Sequence, residues 1–257
     1  MSLKNKIIYI LGGNGLIGQA SVKILLDTDA KIIILDNNIN DKFINNFPTI
    51  YHKQIIQVKF NLEKLNLLEK NLKKIISKYR IPDVFINCSY PKSIDWKKNN
   101  FEQINLESFK KNIEIQLTSN AWTNYLIAKN MKNKKKKGKI IQLGSIYGKV
   151  SQDTDLYKGT SIKENFTYPL IKGGISKFMQ QMAIYYAKHN IIINTISPGG
   201  IKSNQDKYFI KKYSKKTPIN RMAKPEEIAS FIRYLCLDES SYIVGQDLVI
   251  DGGFSKI

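Results

Sequence analysis

The sequence predicts an α/β chain: a doubly wound parallel sheet of about seven strands with helices on both faces. Three observations carry that expectation. Strand-like apolar runs alternate with helical patterns along the whole chain. The first run stops at a glycine-rich turn that re-enters as a helix. At 257 residues the chain suits a single domain, 1–257, large enough to bury a substantial core and too short for two comfortable ones.

Taken in order, Ile7 to Leu11 is an apolar core strand, far too short for a membrane span or a signal peptide, and no other run is long enough to cross a bilayer. Gly12-Gly13-Asn14-Gly15-Leu16-Ile17-Gly18 follows, and a helical pattern begins near Gln19. Such a turn aims backbone N–H groups and the positive end of a helix at one point, where a pyrophosphate can bind, and glycine is wanted because a Cβ would block the approach. The second strand, Lys31 to Leu35, ends at Asp36, where a carboxylate can hold the ribose of adenosine. That placement favours NAD, with NADP as the alternative cofactor. Further strands are expected at Ile55 to Phe60, Val84 to Asn87, Lys139 to Leu143, Ile191 to Ile196 and Asp247 to Ile250. The alternation implies right-handed crossovers and a ligand crevice at the carboxyl ends of the strands. Asp153 to Asn165 is polar and without periodicity, so it reads as a loop beside the active site.

Composition excludes several classes of function. Cys88 and Cys236 give no disulfide framework, and His52 and His189 give no metal-ligand spacing, so a reduced, cytoplasmic setting and no metal are expected. The net charge of +20 would ordinarily raise nucleic acid as a partner. Among the basic residues, however, only Arg80, Arg221 and Arg233 are arginine, the residue preferred for bidentate phosphate recognition. The run Lys134 to Lys137 reads as a solvated loop between a helix and a strand. No nucleic-acid or membrane partner is expected, while an acidic or phosphorylated small substrate suits the charge.

Tyr168 and Lys172 lie four apart, on one face of a helix. Tyr125 with Lys129 and Tyr208 with Lys212 share that spacing, so context decides. Only Tyr168 follows a strand ending in Gly144-Ser145-Ile146-Tyr147-Gly148 and precedes one leading to Ser197-Pro198-Gly199-Gly200. The other two pairs read as surface or packing residues. Pro169 fits only in a first helical turn, so the helix should begin close to Thr167.

With the glycine turn, Ser145, Tyr168, Lys172 and Pro198-Gly199 in this order, the chain resembles the short-chain dehydrogenase/reductase family over essentially its whole length. Pro225-Glu226-Glu227-Ile228-Ala229, Gly245-Gln246-Asp247 and Asp251-Gly252-Gly253 add to the likeness. The resemblance implies a Rossmann-type fold, a nicotinamide cofactor and hydride transfer between an alcohol and its carbonyl. It implies Tyr168 as proton carrier, with the Lys172 ammonium drawing its phenol well below the usual pKa of about 10. Ser145 would hold the substrate oxygen, although a serine there also suits a helix cap. Lys172 would also hold the nicotinamide ribose, with Pro198, Gly199 and Ile201 lining the nicotinamide side. Gly12, Asn14, Gly15, Leu16, Ile17 and Gly18 would meet the pyrophosphate and Asp36 the ribose. Asn61, Leu62, Asn87, Cys88 and Ser89 would pack about the adenosine.

The chain also departs from the family pattern. Asn87-Cys88-Ser89-Tyr90 stands in place of Asn-Asn-Ala-Gly, and Gln116 occupies the position of the family's active-site asparagine, with Asn112 one turn earlier. Asn61 replaces an aspartate common after the third strand. Ser145 and Tyr168 are 23 residues apart, longer than is usual. The added length, about 150–167, is a candidate substrate loop whose hydroxyls, lysine and aromatic face suit a polar, sugar-like substrate. The sequence also resembles bacterial members from surface-sugar or flagellin-modification pathways. The expected protein is therefore an NAD-dependent enzyme, a homodimer or homotetramer, acting on a sugar, sugar phosphate or nucleotide sugar. A carbonyl reductase for a non-sugar ketone or acyl substrate, and a cofactor-binding protein without turnover, are the rival readings.

Overall fold

A computed structural model describes residues 3–256. Its strands are β1 (Ile7–Leu11), β2 (Lys31–Asp36), β3 (Ile55–Lys59), β4 (Val84–Asn87), β5 (Gly138–Leu143), β6 (Ile191–Pro198) and β7 (Asp247–Ile250). The helices are α1 (Leu16–Leu26), α2 (Asp41–Asn45), α3 (Thr49–His52), α4 (Leu65–Tyr79), α5 (Leu106–Asn112), α6 (Ser119–Asn133), α7 (Tyr168–Ala187), α8 (Lys207–Lys216) and α9 (Pro225–Cys236). All strand pairs are parallel, in the order β3-β2-β1-β4-β5-β6-β7. The order reverses between β1 and β4, where neighbouring strands send their chains to opposite sides and a crevice opens at their carboxyl ends.

Strand alternation supplies two cores from one sheet. Tyr9, Leu11, Ile33, Leu35, Phe85, Ile140 and Ile193 face α4, α6 and α7, packing with Leu72, Ile127, Met131 and Met179. Ile8, Ile10, Ile32, Ile34, Ile86 and Ile141 face α1 and α9, packing with Val22, Leu25, Ile228 and Ile232. Because both faces are covered, the strands read as continuous apolar runs rather than alternating ones. Each fully buried aliphatic side chain contributes about 1.5–3 kcal/mol. A third cluster, containing Ile146, Leu156, Tyr157, Phe209, Tyr213, Met222 and Phe254, lies over the carboxyl ends of β5 to β7.

The boundaries differ from the expected ones where local chemistry intervenes. Helix α1 starts at Leu16 rather than near Gln19, because Gly18 has no Cβ to strike the Gly12 carbonyl and the helix can begin against the turn. Strand β6 runs on to Pro198, which needs no ladder donor there: the Gly199 N–H donates to Ile250 O at 2.9 Å. Strand β3 ends at Lys59, and Phe60 turns into the core. Helix α7 begins at Tyr168, whose N–H donates to Asn165 Oδ1 at 2.8 Å, with Pro169 in its first turn, as the proline requires. Between α5 and α6 a π-helical turn, Ile113–Thr118, carries Gln116. Gly245 and Gln246 precede β7 at its amino end, whereas Asp251 to Gly253 follow its carboxyl end. Among the described residues no helix is long and apolar enough to cross a membrane.

Candidate active site

The glycine turn lines a cleft of about 740 Å³ at the carboxyl ends of β1, β2 and β4. Gly12 has φ +74°, and a Cβ there would stand 2.8 Å from the Ser89 backbone. A side chain would therefore strain the turn and press on the loop after β4. Asp36 braces the same turn, accepting from Asn14 N at 3.0 Å and from Asn38 N at 3.1 Å. A carboxylate offers about four acceptor positions, so sites remain for ribose hydroxyls. The buried Asn14 Oδ1 has no hydrogen-bond partner among the described residues. A bare glycine cradle, an unpartnered oxygen and a carboxylate on one cleft fit a dinucleotide.

Of the residues expected at the cofactor, Gly12, Asn14, Gly15, Leu16, Ile17, Asp36, Asn61, Leu62, Cys88 and Ser89 share this cleft. Gly18 lies behind the turn, where it lets α1 start. Asn87 is buried beneath the cleft, its Oδ1 accepting from Ser89 Oγ at 2.7 Å. Pro198, Gly199 and Ile201 lie outside it, with Ile201 bridged to Ala223. Burial pushes the Cys88 thiol up to about 12, so it packs as an inert thiol.

Ser145, Tyr168 and Lys172 come together from β5 and α7. Ser145 is buried and caps a short 3-10 turn, Ile146–Gly148, by accepting from Tyr147 N at 3.2 Å. Its hydroxyl also lies close enough to the Tyr168 phenol to favour the ionised form, so the cap and the site contact coexist. Lys172 donates to Leu143 O at 3.2 Å, with its ammonium 5.5 Å from the centroid of the Tyr168 ring. The electrostatics differ from expectation. Burial raises the Tyr168 pKa above its ordinary value, partly offset by Ser145, and lowers Lys172 to about 8. The dry setting disfavours both charged forms and outweighs the mutual help expected from the pair.

Gln116 shares a small cavity with Ser89, Asn120, Gln142 and Lys172. Its Nε2 donates to Asn112 Oδ1 at 3.2 Å, and its buried Oε1 has no partner among the described residues. Asn112 lies one turn back, holding Ser93 Oγ at 2.9 Å.

Sequence reasoning missed Tyr90, Tyr147 and Asp247. Tyr90 packs edge-to-face on Tyr168 with centroids 5.5 Å apart, and the Lys172 ammonium lies 5.5 Å from its centroid. The signal was visible as the departure from a small residue after β4, but not its direction. Tyr147 stands 6.4 Å from Tyr168 on another side, its buried hydroxyl unpartnered among the described residues. The Asp247 carboxylate accepts from Ser176 Oγ of α7 and pairs with Lys149 at 3.3 Å, tying α7 to the turn after β5.

The candidate substrate loop is less available than its composition implied. Leu156 and Tyr157 are buried, and Tyr157 packs on Phe209 of α8 at 5.5 Å. Lys158 pairs with Asp155 at 2.5 Å, Thr160 Oγ1 donates to Tyr157 O at 2.9 Å, and Ser161 Oγ donates to Asp206 at 3.1 Å. Lys212 donates to Asp155 O and Lys158 O, and Lys216 pairs with Asp153 at 2.5 Å, so the loop is fastened to α8. Tyr208 is exposed and Tyr125 lies under Lys129 at 5.7 Å, away from Ser145. Among the described residues no group of histidine, cysteine or carboxylate side chains could hold a metal ion.

A profile of a family described as Enoyl-(Acyl carrier protein) reductase matches residues 14–255. The post-translational flagellin modification protein A of Campylobacter coli is 30% identical over 98% of this chain and 99% of its own length. A short chain dehydrogenase from Leptospira borgpetersenii, solved with bound NAD+, superposes with TM-score 0.87 at 30% identity, covering 99% of this chain and 94% of that one. A 4-hydroxyisoleucine dehydrogenase solved with NADH gives TM-score 0.81 at 26% identity, over 98% of this chain and 100% of that one.

Proposed function

The chain belongs to the short-chain dehydrogenase/reductase family, and on that premise we propose an NAD-dependent oxidoreductase acting on a secondary alcohol or ketone of a polar, sugar-like small molecule. One observation carries the reading: Ser145, Tyr168 and Lys172 converge beside a cleft that bears both the glycine turn and Asp36. Bound NAD supplies the acceptor or donor of the hydride. The relative solved with NAD+ and the one solved with NADH support this choice of cofactor, as does the carboxylate of Asp36 at the end of β2.

In this reading Ser145 donates a hydrogen bond to the substrate oxygen, and the Tyr168 phenol exchanges a proton with the same oxygen. Lys172 brings positive charge to the phenol and reaches the nicotinamide ribose. Gln116 offers its unpartnered Oε1 to the cavity it shares with Lys172, standing in for the family's asparagine with a longer arm. Tyr147 adds a buried hydroxyl beside Tyr168 and Tyr157, suited to a second polar group on the substrate. That hydroxyl, with the name of the Campylobacter coli relative, supports a sugar, sugar phosphate or nucleotide sugar.

Chain 1–257 acts as one domain. Two free thiols, Cys88 half-buried and Cys236 buried, suit a reducing cytoplasm. Assembly into a homodimer or homotetramer is supported by apolar side chains left open on α6 and α7: Trp122, Leu170, Ile184 and Tyr185.

The test is titration with NADH and NADPH by nicotinamide fluorescence, followed by a screen of sugar and nucleotide-sugar alcohols for NAD reduction at 340 nm. Tighter binding of NADH than NADPH, with turnover of a sugar, is expected. NADH binding with turnover only of apolar ketones or acyl compounds would remove the sugar assignment. Binding without turnover of any alcohol or ketone would favour a cofactor-binding protein.

A further inference from the structure

The loop after β4 includes Ser89-Tyr90-Pro91-Lys92. Lys92 lines the same cleft as Gly12, Gly15 and the first turn of α1. Its ammonium stands 4.8 Å from the centroid of the Tyr90 ring. That ring is itself fixed edge-to-face between Trp96, at 5.6 Å, and Tyr168, at 5.5 Å. Pro91 removes a backbone freedom between ring and lysine. Lys92 is thus presented by a rigid platform rather than left to wander as a surface lysine.

Its charge is uncompensated. The carboxylates on the cleft are Asp36 and Glu63. Asp36 is engaged by the N–H groups of Asn14 and Asn38, and among the described residues neither carboxylate forms an ion pair with Lys92. Although the side chain is exposed by surface area, the surrounding walls strip enough water to lower its pKa. An anion entering a concave site beside such a cation is favoured. Ser145 and Tyr168, which take the substrate oxygen, do not line this cleft, whereas the N–H-bearing end of α1 does.

We propose that Lys92 is an oxyanion-binding residue that takes a phosphate oxygen of the bound dinucleotide from the β4 side of the cleft. The inference rests on the NAD reading above. It assigns to this chain's loop a charged grip on the pyrophosphate, which the glycine turn otherwise holds by backbone donors alone.

The experiment compares the unmutated protein with Lys92→Met, Lys92→Arg and, as a control for net charge, Lys74→Met on the exposed face of α4. Affinities for NADH, ADP and adenosine are measured by fluorescence and calorimetry at about 20 and about 200 mM salt. Lys92→Met should weaken NADH and ADP about tenfold and flatten their salt dependence, as loss of a charge-assisted bond predicts. Adenosine, which lacks the pyrophosphate, should bind unchanged; Lys92→Arg should retain tight binding, and Lys74→Met should match the unmutated protein. Unaltered NADH and ADP affinity in Lys92→Met overturns the proposal, as does an equal loss for adenosine, which marks a packing role. An effect confined to substrate KM overturns it too, by moving the anion from cofactor to substrate. If the unmutated protein binds no NADH, it is the NAD reading that falls; NADH binding that ignores Lys92 removes the lysine alone.

Discussion

Tyr168 and Lys172 occupy a dry pocket that holds back both ionisations, and the consequence is directional. With its pKa raised, Tyr168 is a protonated phenol at neutral pH, ready to give a proton to a carbonyl oxygen. The base form needed to oxidise an alcohol appears only as pH rises. We therefore expect kcat/KM for oxidation to climb through the alkaline range while that for reduction falls, read from paired pH profiles. Tyr168→Phe should lower turnover by about 10²-fold or more, the size of a lost general acid or base, while NADH affinity stays within a few-fold by fluorescence titration; retained turnover would mean another group carries the proton. Asp36→Ala should weaken NADH about tenfold, as loss of a charged acceptor predicts, and narrow the gap to NADPH. Its contacts with Asn14 and Asn38 mean part of that loss comes from a loosened turn, so Asp36→Asn, able to keep one acceptor, should fall between. The four-residue spacing of Tyr168 and Lys172 was legible in the chain. The sign of their pKa shifts was not, because it depends on burial by segments distant in the chain, such as those that bring Leu143 O and the Tyr90 ring to Lys172.

Helix α7 and the turn after β5 must keep a fixed distance for Ser145 to meet Tyr168. Two contacts enforce it. Gly148 lies so near α7 that a Cβ would come within 2.7 Å of the Lys172 carbonyl carbon. Asp247, almost fully buried at the start of β7, holds Ser176 of α7 and Lys149 after the turn. Asp247→Ala should cost about 1–3 kcal/mol by leaving Ser176 unpaired, measured by denaturant unfolding. It should also lower kcat more than it weakens NADH binding, since it acts on the catalytic pair and not on the glycine turn. Equal losses in both would show a general loosening instead. The element boundaries were readable wherever Gly or Pro set them, as at Gly12 and Pro169. The π-helical turn around Gln116 was not, because over so short a stretch residue types do not distinguish an i→i+5 turn from an i→i+4 one.

The assembled sheet brings the glycine turn, Asp36 and the loop after β4 together at the carboxyl ends of its strands, where strand order reverses between β1 and β4. The opposite concern is the outer surface. Ile184 is 73% exposed and Tyr185 48% exposed on α7, and Trp122 of α6 is 44% exposed. Apolar side chains this open on adjoining helices are expected to be covered by a second copy. Light scattering after size exclusion should give a mass at least twice the 29.5 kDa chain, and Ile184→Glu should reduce it; a monomer in both cases would end that expectation. The net charge of +20 is carried mostly by lysines scattered along the chain, so added salt should raise Tm by relieving self-repulsion.

Read alone, the chain determined the parallel sheet, the glycine turn and the triplet of Ser145, Tyr168 and Lys172. Each of these rests on local periodicity, on backbone freedom or on short fixed spacing, all of which are written along the chain. Packing in three dimensions decided the rest. It turned the polar loop at 153–165 inward through Leu156 and Tyr157, brought Tyr90 and Lys92 from the β4 loop against Tyr168 of α7 and the cleft of the glycine turn, and reversed the expected shift of Tyr168. Those outcomes depend on which distant segments exclude water from a given group, and desolvation is a property of the enclosure and not of the residue.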